Sequence, residues 1–166
     1  NPDISGDYLV WEDYRTTNGR IYYCDLRTYN SATPESCIQT VSNDNTAFEA
    51  NPYIENNVVV WQNGRTNNGI YYRNLADASK IIPTRVTTNP DANGNNVARN
   101  GPTTDGEYIF WQDNRDGNWD IYSTKISALQ INGRPVITGQ SIKSAAQVAN
   151  NKLYYLDNKG SYWNKL

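Results

Sequence analysis

Eight consecutive residues, Asp113-Asn114-Arg115-Asp116-Gly117-Asn118-Trp119-Asp120, bring three carboxylates, two amides, a guanidinium and an indole together. A guanidinium offers a planar fork of donors to carboxylates and hydroxyls. An indole in a polar turn stacks against the C–H face of a sugar while flanking polar groups take its hydroxyls. Arg115, Asp116, Asn118, Trp119 and Asp120 are therefore candidate carbohydrate contacts. Asp113 with Arg115 and Asp13 with Arg15 lie at i and i+2, on one face at a strand end. The bland reading of these pairs is a fold-defining turn, with Asp accepting backbone N–H groups and Arg packing over the neighbouring Trp. Recurrence in every full repeat favours the turn, because a unique active site need not recur. Trp119 breaks the pattern: its bland reading is packing on an adjacent sheet, its functional reading a stacking platform.

The 166 residues include no histidine. That excludes Ser-His-Asp and Cys-His nucleophiles and any His-ligated zinc or iron. Two cysteines cannot complete a four-cysteine zinc site. Carboxylate catalysis remains, and it needs two acids at a set separation with one pKa raised. Glu12, Asp13, Asp113 and Asp120 are candidates, with nothing to single out a pair, so the expectation is a chain that is not an enzyme and has no cofactor. Calcium is a minor candidate. Asp91-x-Asn93-x-Asn95 begins like a calcium loop but lacks the Gly at position six and the Glu at position twelve. Asp3, Ser5, Tyr53, Glu55, Thr103 and Asp105 are also expected to gather oxygens near one axis.

The elements that position these residues repeat. Trp11, Trp61 and Trp111 are spaced by 50 residues, and Tyr155 follows 44 further on. Each is preceded by a short lead-in, a turn (Gly6-Asp7, Asn56-Asn57, Asp105-Gly106, Asn150-Asn151) and an apolar strand. Asn and Gly suit the positive φ of tight hairpins. β-Branched and aromatic residues on both faces mark strands covered on both sides. A second strand follows each polar turn, and looser stretches (Cys37–Val41, Ile81–Thr84, Pro135–Thr138) predict edge strands, where proline is tolerated. Residues Thr87–Asn100 are read as an exposed loop, and almost no helix is expected. A period of 40–50 residues with strands in each unit is the signature of a propeller array. The expected fold is an all-β, small propeller of about four antiparallel blades in one domain, with repeats near 1–50, 51–100, 101–144 and 145–166. The last repeat stops after its third strand, so its blade is expected to be incomplete.

Asp113–Tyr122, DNRDGNWDIY, resembles the repeats of TolB-like (WD40-like) β-propellers. It is closer to the Trp-Gln-Asp-x-Arg-x-Gly-Asn-x-Asp-Ile-Tyr repeats of bacterial and archaeal cell-surface proteins, matching at Trp111-Gln112-Asp113, Arg115, Gly117-Asn118 and Asp120-Ile121-Tyr122. The first repeat keeps Trp11, Asp13, Arg15, Asn18-Gly19 and Ile21-Tyr22. The second keeps Trp61-Gln62, Arg65, Gly69 and Ile70-Tyr71, but has Asn63 for the Asp. The fourth keeps Asp157, Gly160 and Tyr162, with Lys159 for the Arg. The resemblance implies the fold; such propellers host sugar binding, protein docking and occasionally catalysis.

A net charge of −2 without blocks of like charge argues against nucleic acid or an anionic membrane as partner. No apolar run approaches a membrane span. Cys24 and Cys37 fall in one repeat and are expected to pair, which suits a secreted protein; two free thiols would suit the cytosol. The expectation is a secreted or cell-surface recognition module that binds carbohydrate, with a protein-docking or structural propeller as the alternative and a carboxylate glycosidase or lyase behind it. The unfilled blade edge is a candidate homo-oligomer contact.

Overall fold

Strands rich in Val, Ile, Tyr and Trp alternate with Asn- and Gly-bearing turns, and each group of strands closes into an antiparallel sheet. A computed structural model describes residues 1–15, 18–42, 48–64, 69–79, 81–87, 99–128, 134–137, 143–149, 152–157 and 160–165. Sheet 1 has the order β1 (Pro2–Ser5), β2 (Tyr8–Asp13), β3 (Arg20–Asp25), β4 (Ile38–Thr40). Sheet 2 is β5 (Glu49–Glu55), β6 (Val58–Asn63), β7 (Gly69–Asn74), β8 (Thr84–Arg85). Sheet 3 is β9 (Arg99–Thr104), β10 (Tyr108–Asp113), β11 (Asp120–Lys125), β12 (Arg134–Ile137). Sheet 4 has three strands, β13 (Lys143–Ala149), β14 (Lys152–Asp157) and β15 (Gly160–Lys165). Four antiparallel sheets, the last one strand short, match the expected blades. Among the described residues the only helical segments are short 3₁₀ turns.

The first strands of consecutive sheets are neighbours, β1 beside β5, β5 beside β9 and β9 beside β13, so the sheets fan out from one axis. Polar side chains stitch this inner layer. Asp3 accepts from the Ile54 amide at 2.8 Å, Ser5 Oγ from the Asn56 amide at 3.3 Å, and Asn56 Nδ2 donates to the Asp105 carbonyl at 2.8 Å. Of the oxygens expected to gather for calcium, those of Asp3 and Ser5 therefore accept from neighbouring backbone. Among the described residues no group of three or more His, Cys, Asp or Glu is placed to hold a metal. The calcium-like stretch at 91–95 lies outside the described residues, as does most of the loop read over Thr87–Asn100.

Apolar faces meet between sheets. Val10, Ile21, Tyr23 and Val41 of sheet 1 pack on Ile54, Val59 and Trp61 of sheet 2. Val58, Val60, Ile70 and Val86 of sheet 2 then pack on Ile109, Trp111 and Tyr122 of sheet 3. Each strand thus serves two interfaces, which is why β6 reads as an unbroken apolar run.

Two local readings change. The first two lead-in hairpins are tight, with Gly6 at φ +56°, and Asn56 and Asn57 at +49° and +66°. In sheet 3 the connection is longer, spanning Asp105 to Glu107, because Asp105 Oδ1 accepts from the amides of Glu107 and Tyr108 at 2.8 and 2.7 Å. The edge strand of sheet 2 is Thr84–Arg85 rather than Ile81–Thr84. Ile81 and Ile82 precede it and are exposed. Pro83 offers no ladder N–H, so pairing begins only after it. Cys24 and Cys37 are disulfide-bonded and tie β3 to the turn that enters β4.

Candidate functional site

The polar hairpin of sheet 3 grows from the last register pair of β10 and β11, Asp113 opposite Asp120. Trp111 and Tyr122 are opposite one another two residues earlier, and their rings stack at 6.3 Å. The same pairing stacks Trp11 on Tyr22 and Trp61 on Tyr71. The hairpin turns at Gly117, whose φ of +84° favours glycine and whose amide donates to the Asn114 carbonyl at 3.0 Å.

Asp113 is fully buried and its carboxylate is spent inside the protein. Oδ1 accepts from the Arg115 amide at 3.0 Å. Oδ2 accepts from Trp111 Nε1 at 3.1 Å, Arg99 Nε at 2.9 Å and the Arg115 guanidinium at 2.5 Å. Burial pulls the Arg99 pKa below its ordinary value, against the pull of Asp113. The Arg115 guanidinium lies 4.0 Å from the Tyr122 ring centre. Tyr122 donates to Asp116 at 2.6 Å, and burial together with that acceptor raises its hydroxyl pKa.

Sheet 1 builds the same unit with one partner fewer. Asp13 accepts from the Arg15 amide at 2.8 Å, Arg15 Nε at 2.9 Å and Trp11 Nε1 at 3.2 Å. The Arg15 side chain holds the Asp13 pKa down at about 2. Arg15 stacks over Tyr22 at 4.9 Å. In both sheets the arginine covers the tyrosine of the opposite strand; the tryptophan instead donates its N–H to the carboxylate. Sequence spacing pointed to Trp because it is nearer along the chain. The cross-strand register decides otherwise.

Of the residues singled out on the hairpin, Asp113 and Asp120 are buried, Arg115 and Trp119 are half-buried, and Asp116 and Asn118 are exposed. The structure therefore brings Arg115, Asp116, Asn118 and Trp119 to one surface turn and withdraws the two outer aspartates. Asp13 and Arg15 form a separate turn on sheet 1. The carboxylates of Asp13 and Asp113 are both engaged by indoles and arginines of their own sheets.

A different feature had no local motif. Sheet 2 carries Asn63 where the others have Asp, and Glu49 on β5, opposite Asn63 in register, supplies the carboxylate. Glu49 Oε1 accepts from Trp61 Nε1 at 3.1 Å and Ser42 Oγ at 2.5 Å, and Oε2 from the Ile21 amide at 3.3 Å. Burial raises its pKa, the hydrogen bonds and Arg20 only partly offsetting that. Ser42, Glu49, Trp61, Asn63, Tyr71 and Ile82 line a cavity of about 220 Å³ that reaches from the Ser42 turn after β4 to the segment leading into β8. A second hollow, of about 80 Å³ and lined by Arg73, Asp77, Thr84 and Ile126, shares Ile82. The only trace of this in the sequence is the Asn63 departure from the repeat.

No protein-family model matches the chain, and no curated protein sequence matches it significantly. Solved structures do resemble it. A putative TolB from Agrobacterium tumefaciens matches with a TM-score of 0.64 at 12% identity, over 92% of this chain and 50% of that one. TolB from Acinetobacter baumannii matches with a TM-score of 0.63 at 15% identity, over 99% of this chain and 42% of that one. A chain of a nidogen/laminin complex matches with a TM-score of 0.53 at 10% identity, over 95% of this chain and 72% of that one. The chain has the TolB-like β-propeller fold, and it spans about half the length of the TolB chains it matches.

Proposed function

We propose that this chain is a non-catalytic, extracytoplasmic recognition module that docks a protein partner on the outer rim of sheet 2. The observation that carries the reading is the Ile81-Ile82 ridge, 55% and 75% exposed, with a hollow on either side of Ile82. Two adjacent exposed isoleucines at a rim of concavities form an apolar anchor surface of the kind partners bury. Aromatic walls and a few fixed polar groups give such a surface its specificity. One structure of similar fold belongs to a nidogen/laminin complex, which supports a protein-docking role for this architecture. The Cys24–Cys37 disulfide supports an oxidising location, and no helix among the described residues is long and apolar enough to cross a membrane.

The test is a photo-crosslinking residue at position 82, applied to a source extract and read by mass spectrometry. A discrete protein adduct that competes away with the unlabelled chain, but not with its Ile81→Ser/Ile82→Ser variant, is the expected result. Absence of any competable adduct would sink the reading. Exposed isoleucines contribute little to folding, so the double variant should stay within about 0.5 kcal/mol of the parent.

The half-buried Trp119, beside exposed Asp116 and Asn118, supports a second reading, shallow carbohydrate binding at the sheet 3 hairpin. A glycan array with a Trp119→Ala control separates the two: binding lost in the control favours carbohydrate, and a uniformly blank array removes it.

A further inference from the structure

We infer that the larger cavity beside Ile82 is a cation site, and that it receives the ammonium of a lysine side chain from the docked partner. The partner rests on the docking reading; the charge rests on comparing the three sheets. In sheet 3 the carboxylate of Asp113, the indole of Trp111 and the ring of Tyr122 surround a guanidinium. Arg115 donates to Asp113 at 2.5 Å and lies 4.0 Å from the Tyr122 ring centre. In sheet 1 Asp13, Trp11 and Tyr22 hold Arg15 in the same way, 4.9 Å from the ring centre. Sheet 2 assembles the same three walls from Glu49, Trp61 and Tyr71, and they bound the cavity of about 220 Å³. Arg85 lies 5.9 Å from the Tyr71 ring centre, and Arg20 donates to the Ser42 carbonyl at 3.2 Å. Among the described residues no lysine or arginine forms an ion pair with Glu49.

The acceptors select an ammonium over a guanidinium. Glu49 Oε1 already accepts from Trp61 and Ser42, while Oε2 accepts only from the Ile21 amide, at 3.3 Å. A planar fork of donors needs both oxygens, whereas a point charge needs one. Asn63 is half-buried on the cavity wall, and its side-chain amide makes no hydrogen bond to another described residue. Its oxygen is a second acceptor.

The remaining walls suit the stem of such a side chain. Trp61, Tyr71, Ile82 and Pro83 offer aromatic and aliphatic surface. Long charged side chains lay their methylenes on surface of this kind while the charged end reaches a polar group, and aromatic rings favour a cation beside them. An apolar cavity of about 150 Å³ holds benzene, so four methylenes and an ammonium fit here. Glu49 is only 2% exposed, and a buried carboxylate without a cation is costly. Burial is the main cause of its raised pKa, and a cation at Oε2 would oppose that shift.

The test is n-butylammonium, titrated into the chain and followed on the Trp61 indole N–H by NMR, with n-butanol and butyrate as matched probes. A saturable shift with butylammonium alone is expected. It should weaken about tenfold or more in Glu49→Gln, whose amide oxygen still accepts from Trp61 and Ser42. Arg65 holds the arginine position of this repeat and lies outside the described residues, so Arg65→Gln is titrated alongside. No saturable shift, an equal shift with butanol, a titration unchanged in Glu49→Gln, or binding that appears only in Arg65→Gln would each overturn the inference. The crosslink at position 82 keeps the two readings apart. A competable adduct with a failed titration retires the cation site alone, and a successful titration with no adduct retires the docked partner alone.

Discussion

The indole N–H of Trp111 is held by Asp113, two residues further along its own strand, whereas that of Trp61 is held by Glu49 on the facing strand. In register Asp113 lies opposite Arg99, and Asn63 lies opposite Glu49. The anion has crossed the ladder, and the cation that sits there in sheet 3 has no counterpart at that position in sheet 2. What recurs between the sheets is the bond from indole to carboxylate; the residue that supplies the carboxylate is interchangeable. The surroundings then decide the electrostatics. Asp113 sits among guanidiniums, while the hydrogen bonds to Glu49 come from a hydroxyl, an amide and an indole, and burial raises its pKa.

The largest effect that would break this comparison is at Arg99. Its guanidinium is fully buried against Asp113, so Arg99→Ala removes one partner of a buried pair and its packing. It should cost about 3–5 kcal/mol in urea unfolding. A loss below 1 kcal/mol would mean that the sheet 3 unit is no more internal than that of sheet 1. Next comes Trp61→Phe, which keeps a ring but leaves Glu49 without its indole donor; about 1–3 kcal/mol is expected from the unmet buried group. The effect should be smaller at a pH where Glu49 is protonated.

Glu49→Gln sharpens the comparison through its pH dependence. The folded pKa of Glu49 lies above its ordinary 4.5, so the folded state holds the proton more tightly than the unfolded chain. The stability this contributes is fully present below the ordinary pKa and is lost as pH rises through the folded one. The parent should therefore lose stability relative to Glu49→Gln as pH rises above the ordinary 4.5 and through the folded pKa. A constant difference across that range would contradict the placement of Glu49. Smallest is Arg15→Gln in the partly exposed unit of sheet 1, expected to cost the least of the four at neutral pH in the same urea unfolding. Asp13 has a depressed pKa, so its contribution is present above the ordinary 3.8 and lost as pH falls through about 2. A carboxyl titration followed by NMR should show Asp13 returning towards its ordinary value in the variant.

The architecture was legible because each sheet is encoded locally. Trp11, Trp61, Trp111 and Tyr155 mark equivalent strands, and Gly6, Asn56 and Gly106 supply turns that require positive φ. The anchor units were half legible. Asp13 and Asp113 do accept backbone N–H groups as a turn requires, but the arginines stack on Tyr22 and Tyr122, which are distant in sequence and adjacent only through strand pairing. Glu49 was invisible, because its partners Ser42, Ile21 and Trp61 come from three separate strands or turns and no spacing announces them. The exposed Ile81-Ile82 pair was hidden for the opposite reason. Consecutive β-branched residues read as strand, and only Pro83 hinted that pairing starts later.

The account turns on the hairpin aspartates being internal anchors, with the degree of enclosure setting their worth. Urea unfolding of Asp113→Asn and Asp13→Asn, side by side at neutral pH, tests that most directly. Asp113→Asn should lose several-fold more stability, because it leaves two arginines around a neutral amide while Asp13 has one solvent-facing arginine. Equal losses, or a larger loss for Asp13→Asn, would contradict the account.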